Sequence, residues 1–119
     1  MSNTGHSRFI YKICPEGHWR AAETDGVFRG SAVDLADGYI HFSTAEQAVE
    51  TAAKHFAGQE NLVLVQVDSG RLGDHLKWEP SRGGALFPHL YGELFITAVT
   101  KVMPLPLGPD GRHRFPSLD

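Results

Sequence analysis

Residues 38–47 read GYIHFSTAEQ, and this stretch decides how the rest of the chain is organised. Tyr39, His41 and Ser43 alternate with Ile40 and Phe42, the period of a strand with one polar and one apolar side. The strand runs straight into a helix. Ser43 with Glu46 three residues on forms a capping-box pattern, in which the hydroxyl accepts from a free backbone N–H and the carboxylate reaches back. Ala45, Ala48, Val49, Ala52, Ala53, Phe56 and Ala57 follow at helical spacing, and Gly58 supplies a left-handed stop. A polar triplet on a rigid strand beside the positive end of a helix favours an anionic or hydroxyl-rich ligand.

Upstream, residues 1–7 are small and polar, and RFIYKIC (8–14) reads as a first strand with Phe9, Tyr11 and Ile13 on one face. Pro15 and Glu16 suit the first turn of a short helix in which Trp19 and Ala22 share a buried face, and Asp25-Gly26 ends it. Residues 27–38, VFRGSAVDLADG, read as a loop with at most a short strand or turn. Downstream, LVLVQVD (62–68) is apolar on both faces and reads as a central strand. HLKWE (75–79) forms another strand, and LFITAVTKVM (94–103) a last one. Between them PSRGGALFPHLYG (80–92) reads as a Pro- and Gly-rich binding loop carrying Arg82, Phe87, His89 and Tyr91. The expected class is α+β, with a mixed, mostly antiparallel sheet, one main amphipathic helix and one short helix. A single domain over 1–119 is expected, with tails at 1–7 and 108–119.

Composition narrows the function. A net charge of −3, with Lys and Arg scattered, argues against a nucleic-acid-coating surface. The lone Cys14 rules out an intrachain disulfide framework and fits a reducing compartment. No apolar run has membrane-spanning length, so a soluble, cytoplasmic protein is expected.

Seven histidines raise the question of metal, yet there is no HExxH and no His pair four apart on a helix. His75 and Glu79 are four apart, but on a strand that is about 13 Å. Chance convergence of His41, His89 and Glu79 would make a metal-dependent hydrolase; no metal is expected on the leading reading. Cys14 reads as a buried, inert thiol, and no GxSxG elbow, phosphate-loop motif or dinucleotide fingerprint is present. His41 is the residue with most to offer, since it shares a face with Tyr39 and Ser43 and can donate or accept near neutrality. Tyr39 and Tyr91 supply stacking faces, His41, Ser43 and His89 hydroxyl partners, Glu79 a carboxylate and Arg82 a phosphate-binding cation, together the needs of a nucleotide pocket.

The combination of IYKI, a following W-x-x-A, DGYIHFST, LVLVQVD, WEPSRGG and FPHLYG resembles a small bacterial and plant family, domain of unknown function 952, over about residues 8–103. That family is in turn similar in fold to the ADP-ribosyltransferase group. The resemblance implies curved, split sheets around an NAD-sized cleft, with NAD as substrate, His41 on the ribose and Glu79 as the carboxylate of catalysis. Tyr39, Ser43, Arg82, His89 and Tyr91 would then line the ligand. Lys12 stands where the family commonly has a histidine, and Arg82 is the only good counterpart of the arginines in that group's NAD-dependent RNA 2′-phosphotransferases, which the resemblance also takes in. A non-catalytic nucleotide or small-molecule binding module is the alternative.

Overall fold

The computed structural model describes residues 8–81 and 84–118. Strand β1 (Phe9–Pro15) leads into helix α1 (Glu16–Asp25), then β2 (Val27–Phe28), helix α2 (Ala32–Asp37) and β3 (Ile40–His41). Helix α3 (Ala45–His55) precedes β4 (Leu62–Asp68), β5 (Leu76–Pro80), β6 (Leu86–Leu90), β7 (Leu94–Phe95) and β8 (Val99–Leu105). Three sheets result, in the orders β1-β4-β8, β2-β7 and β3-β6-β5, and every pairing within them is antiparallel. The molecule is α+β, as the order of apolar runs implies, with three α-helices among the described residues instead of two.

β4 is central, and it is buried along nearly its whole length because both faces are covered. On one face Ile10 and Cys14 of β1 join Val63, Val65 and Val67 of β4 in a core with Trp19, Phe28, Ile40, Phe42, Leu90 and Leu94. On the other, Tyr11, Ile13, Leu62 and Leu64 pack with Ala52 of α3 and Leu105. Lys12 falls, by alternation, on the first of these faces, so its chain is driven inward with Ile10 and Cys14.

Several elements differ from the sequence expectation. Residues 27–38 are not a loop: Ser31 and Asp34 close a capping box, and α2 forms on it before Gly38 ends it in the left-handed conformation. The loop at 80–92 is also mostly strand. β6 is the middle strand of its sheet although Pro88 lies within it; the proline offers only its carbonyl, which accepts from Phe42 N–H at 3.0 Å. The last strand is broken by a 3-10 turn at Ile96–Ala98. Pro15 caps α1 instead of occupying its first turn.

The cap of α3 shifts by one residue. Tyr11 and Ser43 exchange backbone hydrogen bonds of 2.8 and 2.9 Å, which keeps Ser43 extended. Thr44 is the first residue free to cap, and it forms the box with Gln47; Glu46 is merely an acidic residue in the first turn. The buried stripe of the helix is correspondingly narrow: Ala48 and Ala52 are buried, while Val49 is 56% exposed.

The segment beyond β8 is no free tail. Leu107 bridges His113, Arg114 N–H donates to Pro106 O at 2.8 Å, and Phe115 and Leu118 pack on the second core. No helix among the described residues is long and apolar enough to cross a membrane.

Candidate functional site

Alternation along β3, β6 and β5 sorts this sheet into two faces. Ile40, Leu90, Pro88, Leu76 and Trp78 belong to the core side, and His41, His89, Phe87, Lys77 and Glu79 to the other. His41 and His89 are directly paired across β3 and β6. Tyr39, just before β3, lies against this face: its ring stacks on His89 at 4.1 Å and 26°, and meets His41 at 4.6 Å and Tyr91 at 5.1 Å. The two imidazoles meet edge-on at 5.5 Å.

Each imidazole is held by a carboxylate. His89 Nδ1–H donates to Glu79 Oε1 at 2.7 Å, and Tyr91 O–H donates to the same oxygen at 2.8 Å. His89 is buried, whereas Glu79 is partly exposed and Tyr91 exposed. The bond from His89, then that from Tyr91, hold the Glu79 carboxyl below its usual range; the same Tyr91–Glu79 bond raises the Tyr91 phenol. Neither of these bonds uses Glu79 Oε2, and the Glu79 side chain is partly exposed.

His41 Nδ1 lies 2.6 Å from Asp34 Oδ1, and its Nε2 lies 2.9 Å from Asp37 Oδ2 on the last turn of α2. Asp34 is buried, and its Oδ2 accepts from Lys12 Nζ at 2.8 Å and from Ser31 N–H at 2.8 Å. Burial alone would raise the Asp34 carboxyl. The bond from His41 and the Lys12 ammonium outweigh burial and hold it well below the ordinary carboxylate range. Lys12 also donates to His41 O at 3.1 Å, so the first strand supports the site from beneath.

The structure therefore brings together Tyr39, His41, Glu79, His89 and Tyr91. It does not bring in Ser43, which is buried with its hydroxyl 3.0 Å from Thr51 Oγ1 of α3. The short strand explains this: pairing with β6 covers only Ile40 and His41, after which the chain turns to β1. Arg82 lies outside the described residues. Asp34, Asp37 and Lys77 belong to the site although the sequence reading passed over them. Two signals pointed to Asp34: a lone Lys12 inside an apolar strand demands a buried anion, and Ser31-x-x-Asp34 is itself a capping pattern.

Among the described residues, no group of three or more His, Cys, Asp or Glu side chains converges with metal-holding geometry. Of the set expected for a metal-dependent hydrolase, His89 and Glu79 are bonded to each other and His41 to aspartates. Two surface hollows lie elsewhere. One, of about 620 Å³, runs along α1 and β2 beside His18, Asp25 and Arg29; the other, of about 290 Å³, lies between Arg71, His75 and Phe95. Neither hollow is lined by Tyr39, His41, Glu79, His89 or Tyr91.

A family model described as "Protein of unknown function (DUF952)" matches residues 13–102, three quarters of the chain. The chain belongs to the DUF952 family. Its fold is also that of protein CC0527 from Caulobacter crescentus. The crystal structure of that protein is 57% identical over 89% of this chain and 93% of its own, with a TM-score of 0.86. Its solution NMR structure gives 0.81 at the same identity, over 89% and 91%. No curated protein matches the chain. Neither the DUF952 description nor those of the CC0527 structures speaks of ADP-ribosyl transfer.

Proposed function

We propose that the face formed by Tyr39, His41, Glu79, His89 and Tyr91 binds a nucleotide, with NAD the first candidate, in the manner of an ADP-ribosyltransferase-like domain. The observation that carries this reading is the ring cluster over a carboxylate: Tyr39 is stacked on His89, and Glu79 is fixed by two donors on one oxygen. The exposed ring of Tyr91 offers a π surface for a base. The second oxygen of Glu79 suits a ribose hydroxyl. Lys77, two residues before Glu79 on the same side of β5, and Arg82, three residues after it in sequence, supply cations for phosphate.

If the domain turns NAD over, the bond between ribose and nicotinamide breaks with its electron pair leaving on the nicotinamide nitrogen. Positive charge then develops on the ribosyl carbon, and a preorganised carboxylate at Glu79 stabilises it. Water or another acceptor adds to that carbon and loses a proton. The binding-module reading differs only in lacking this step.

Titration of the protein with NAD, read by heteronuclear NMR, tests the reading. Resonances of Tyr39, His41, His89 and Tyr91 should move, and His41→Ala should weaken binding by up to about tenfold, the loss of one hydrogen bond. Prolonged incubation should release nicotinamide, and Glu79→Gln should abolish release. Binding without release leaves the binding module. No shift at millimolar NAD ends the nucleotide reading.

A further inference from the structure

We infer that Asp34, clamped by Lys12, is a positioning residue that fixes His41 in one tautomer and aims its Nε2 outward as the hydrogen-bonding atom of the site. The inference rests on the same face as the nucleotide reading, but its geometry is independent of any ligand.

Asp34 is unusually committed. Its Oδ1 lies 2.6 Å from His41 Nδ1 and accepts the backbone N–H of His41 at 3.1 Å. The other oxygen accepts from Ser31 N–H and from Lys12 Nζ. The Lys12 and Asp34 side chains are 7% and 2% exposed, so the pair cannot exchange its partners for water. A carboxylate only accepts. With Asp34 held as the anion, His41 Nδ1 must donate, and in the neutral ring the lone pair is then on Nε2. The His41 side chain is 30% exposed, and the half-exposed Asp37 lies 2.9 Å from Nε2.

Asp37 is itself an acceptor only, so it bonds Nε2 only when the ring carries a second proton. A ligand O–H or N–H is the better partner for the neutral ring and would take the place of Asp37. In its neutral form His41 therefore selects a donor group, such as a sugar hydroxyl, at Nε2. Asp34 and Asp37 should consequently act with opposite sign, one supporting the contact and the other competing for it.

Long-range nitrogen–proton NMR on the imidazole of His41 tests this in the full chain without ligand. The expected result for the wild type with the ring neutral is a proton on Nδ1 and none on Nε2. Asp34→Asn leaves Lys12 buried without its anion and keeps an acceptor oxygen beside Nδ1, so the decisive variant is Lys12→Met with Asp34→Leu, which removes both charges and that acceptor together. There the ring should lose its single tautomer and become a mixture. A wild-type ring protonated at Nε2 alone overturns the inference, as does an unchanged Nδ1–H in the folded double variant. If the double variant does not fold, the wild-type tautomer still decides. A second readout uses NAD as the probe: Asp37→Ala should bind at least as tightly as wild type, and tighter binding is expected. A severalfold loss in Asp37→Ala would overturn the competing role. If NAD binds to none of the proteins while the tautomer is as stated, the nucleotide reading fails and the positioning of His41 stands.

Discussion

Asp34 and Cys14 show how far one buried atom's surroundings govern its chemistry. The Asp34 carboxyl is depressed from its ordinary 3.8, so the folded state binds its proton less readily than the unfolded chain does. Its stabilising effect is complete above that ordinary value and is lost as pH falls through the folded one. Stability should therefore decline by at most about 1.4 kcal/mol per pH unit below about pH 4 on account of this group. Urea midpoints measured down the acid range should show a flatter decline when Lys12→Met and Asp34→Asn are combined. Cys14 is 1% exposed, and burial, only partly offset by the Lys12 charge, pushes its thiol up to about 11. It should react with a thiol reagent at pH 8 only through opening of the fold. Equal alkylation rates in native buffer and in concentrated urea would contradict that placement.

At the scale of elements, the start of α3 separates pattern from geometry. Ser43-x-x-Glu46 and Thr44-x-x-Gln47 are both capping patterns in the sequence, one residue apart. Pairing of Ser43 with Tyr11 across the strands disqualifies the first and selects the second. Thr44→Ala should thus cost about 1 kcal/mol in denaturant unfolding. Glu46→Ala, at an exposed position, should stay within about 0.5 kcal/mol. The reverse order would show that the helix begins at Ser43. β6 teaches the same lesson: Pro88 and the glycines before it argue for a loop, and only the flanking strands β3 and β5 make it a central strand.

Across the whole molecule, the central sheet is covered on both sides, and part of that cover comes from residues that looked like a tail. Phe115 and Leu118 pack beside Tyr11, Ile13 and Leu105, and His113 Nε2 lies 2.8 Å from Gln59 O. Deleting residues 108–119 should lower stability by about 1–3 kcal/mol, the worth of one or two partly buried apolar side chains. A truncated chain with an unchanged urea midpoint would show that the segment only rests on the surface. The site lies on the outward face of the β3-β6-β5 sheet, separated from this cover by the central sheet and its first core. Tyr39 and His41 are far in sequence from Glu79, His89 and Tyr91, and they meet because β6 lies between β3 and β5.

What the sequence determined by itself was local: β1 from its apolar alternation, β4 from a run apolar on both faces, β5 as a further short strand, α1 and α3 from their period, and the apolar side of Ile40 and Phe42. It also contained the residue types of the site, because His41 and Glu79 are conspicuous on strands and His89 in a loop loaded with aromatic and basic side chains. The tertiary structure decided which of these meet, that Ser43 turns away, and that Lys12 and Asp34 close beneath His41. The reason is physical. A strand's period reports which side is buried, but its partner is chosen by long-range register, and a buried ion pair across 22 residues exists only after both ends have been brought into the same dry space.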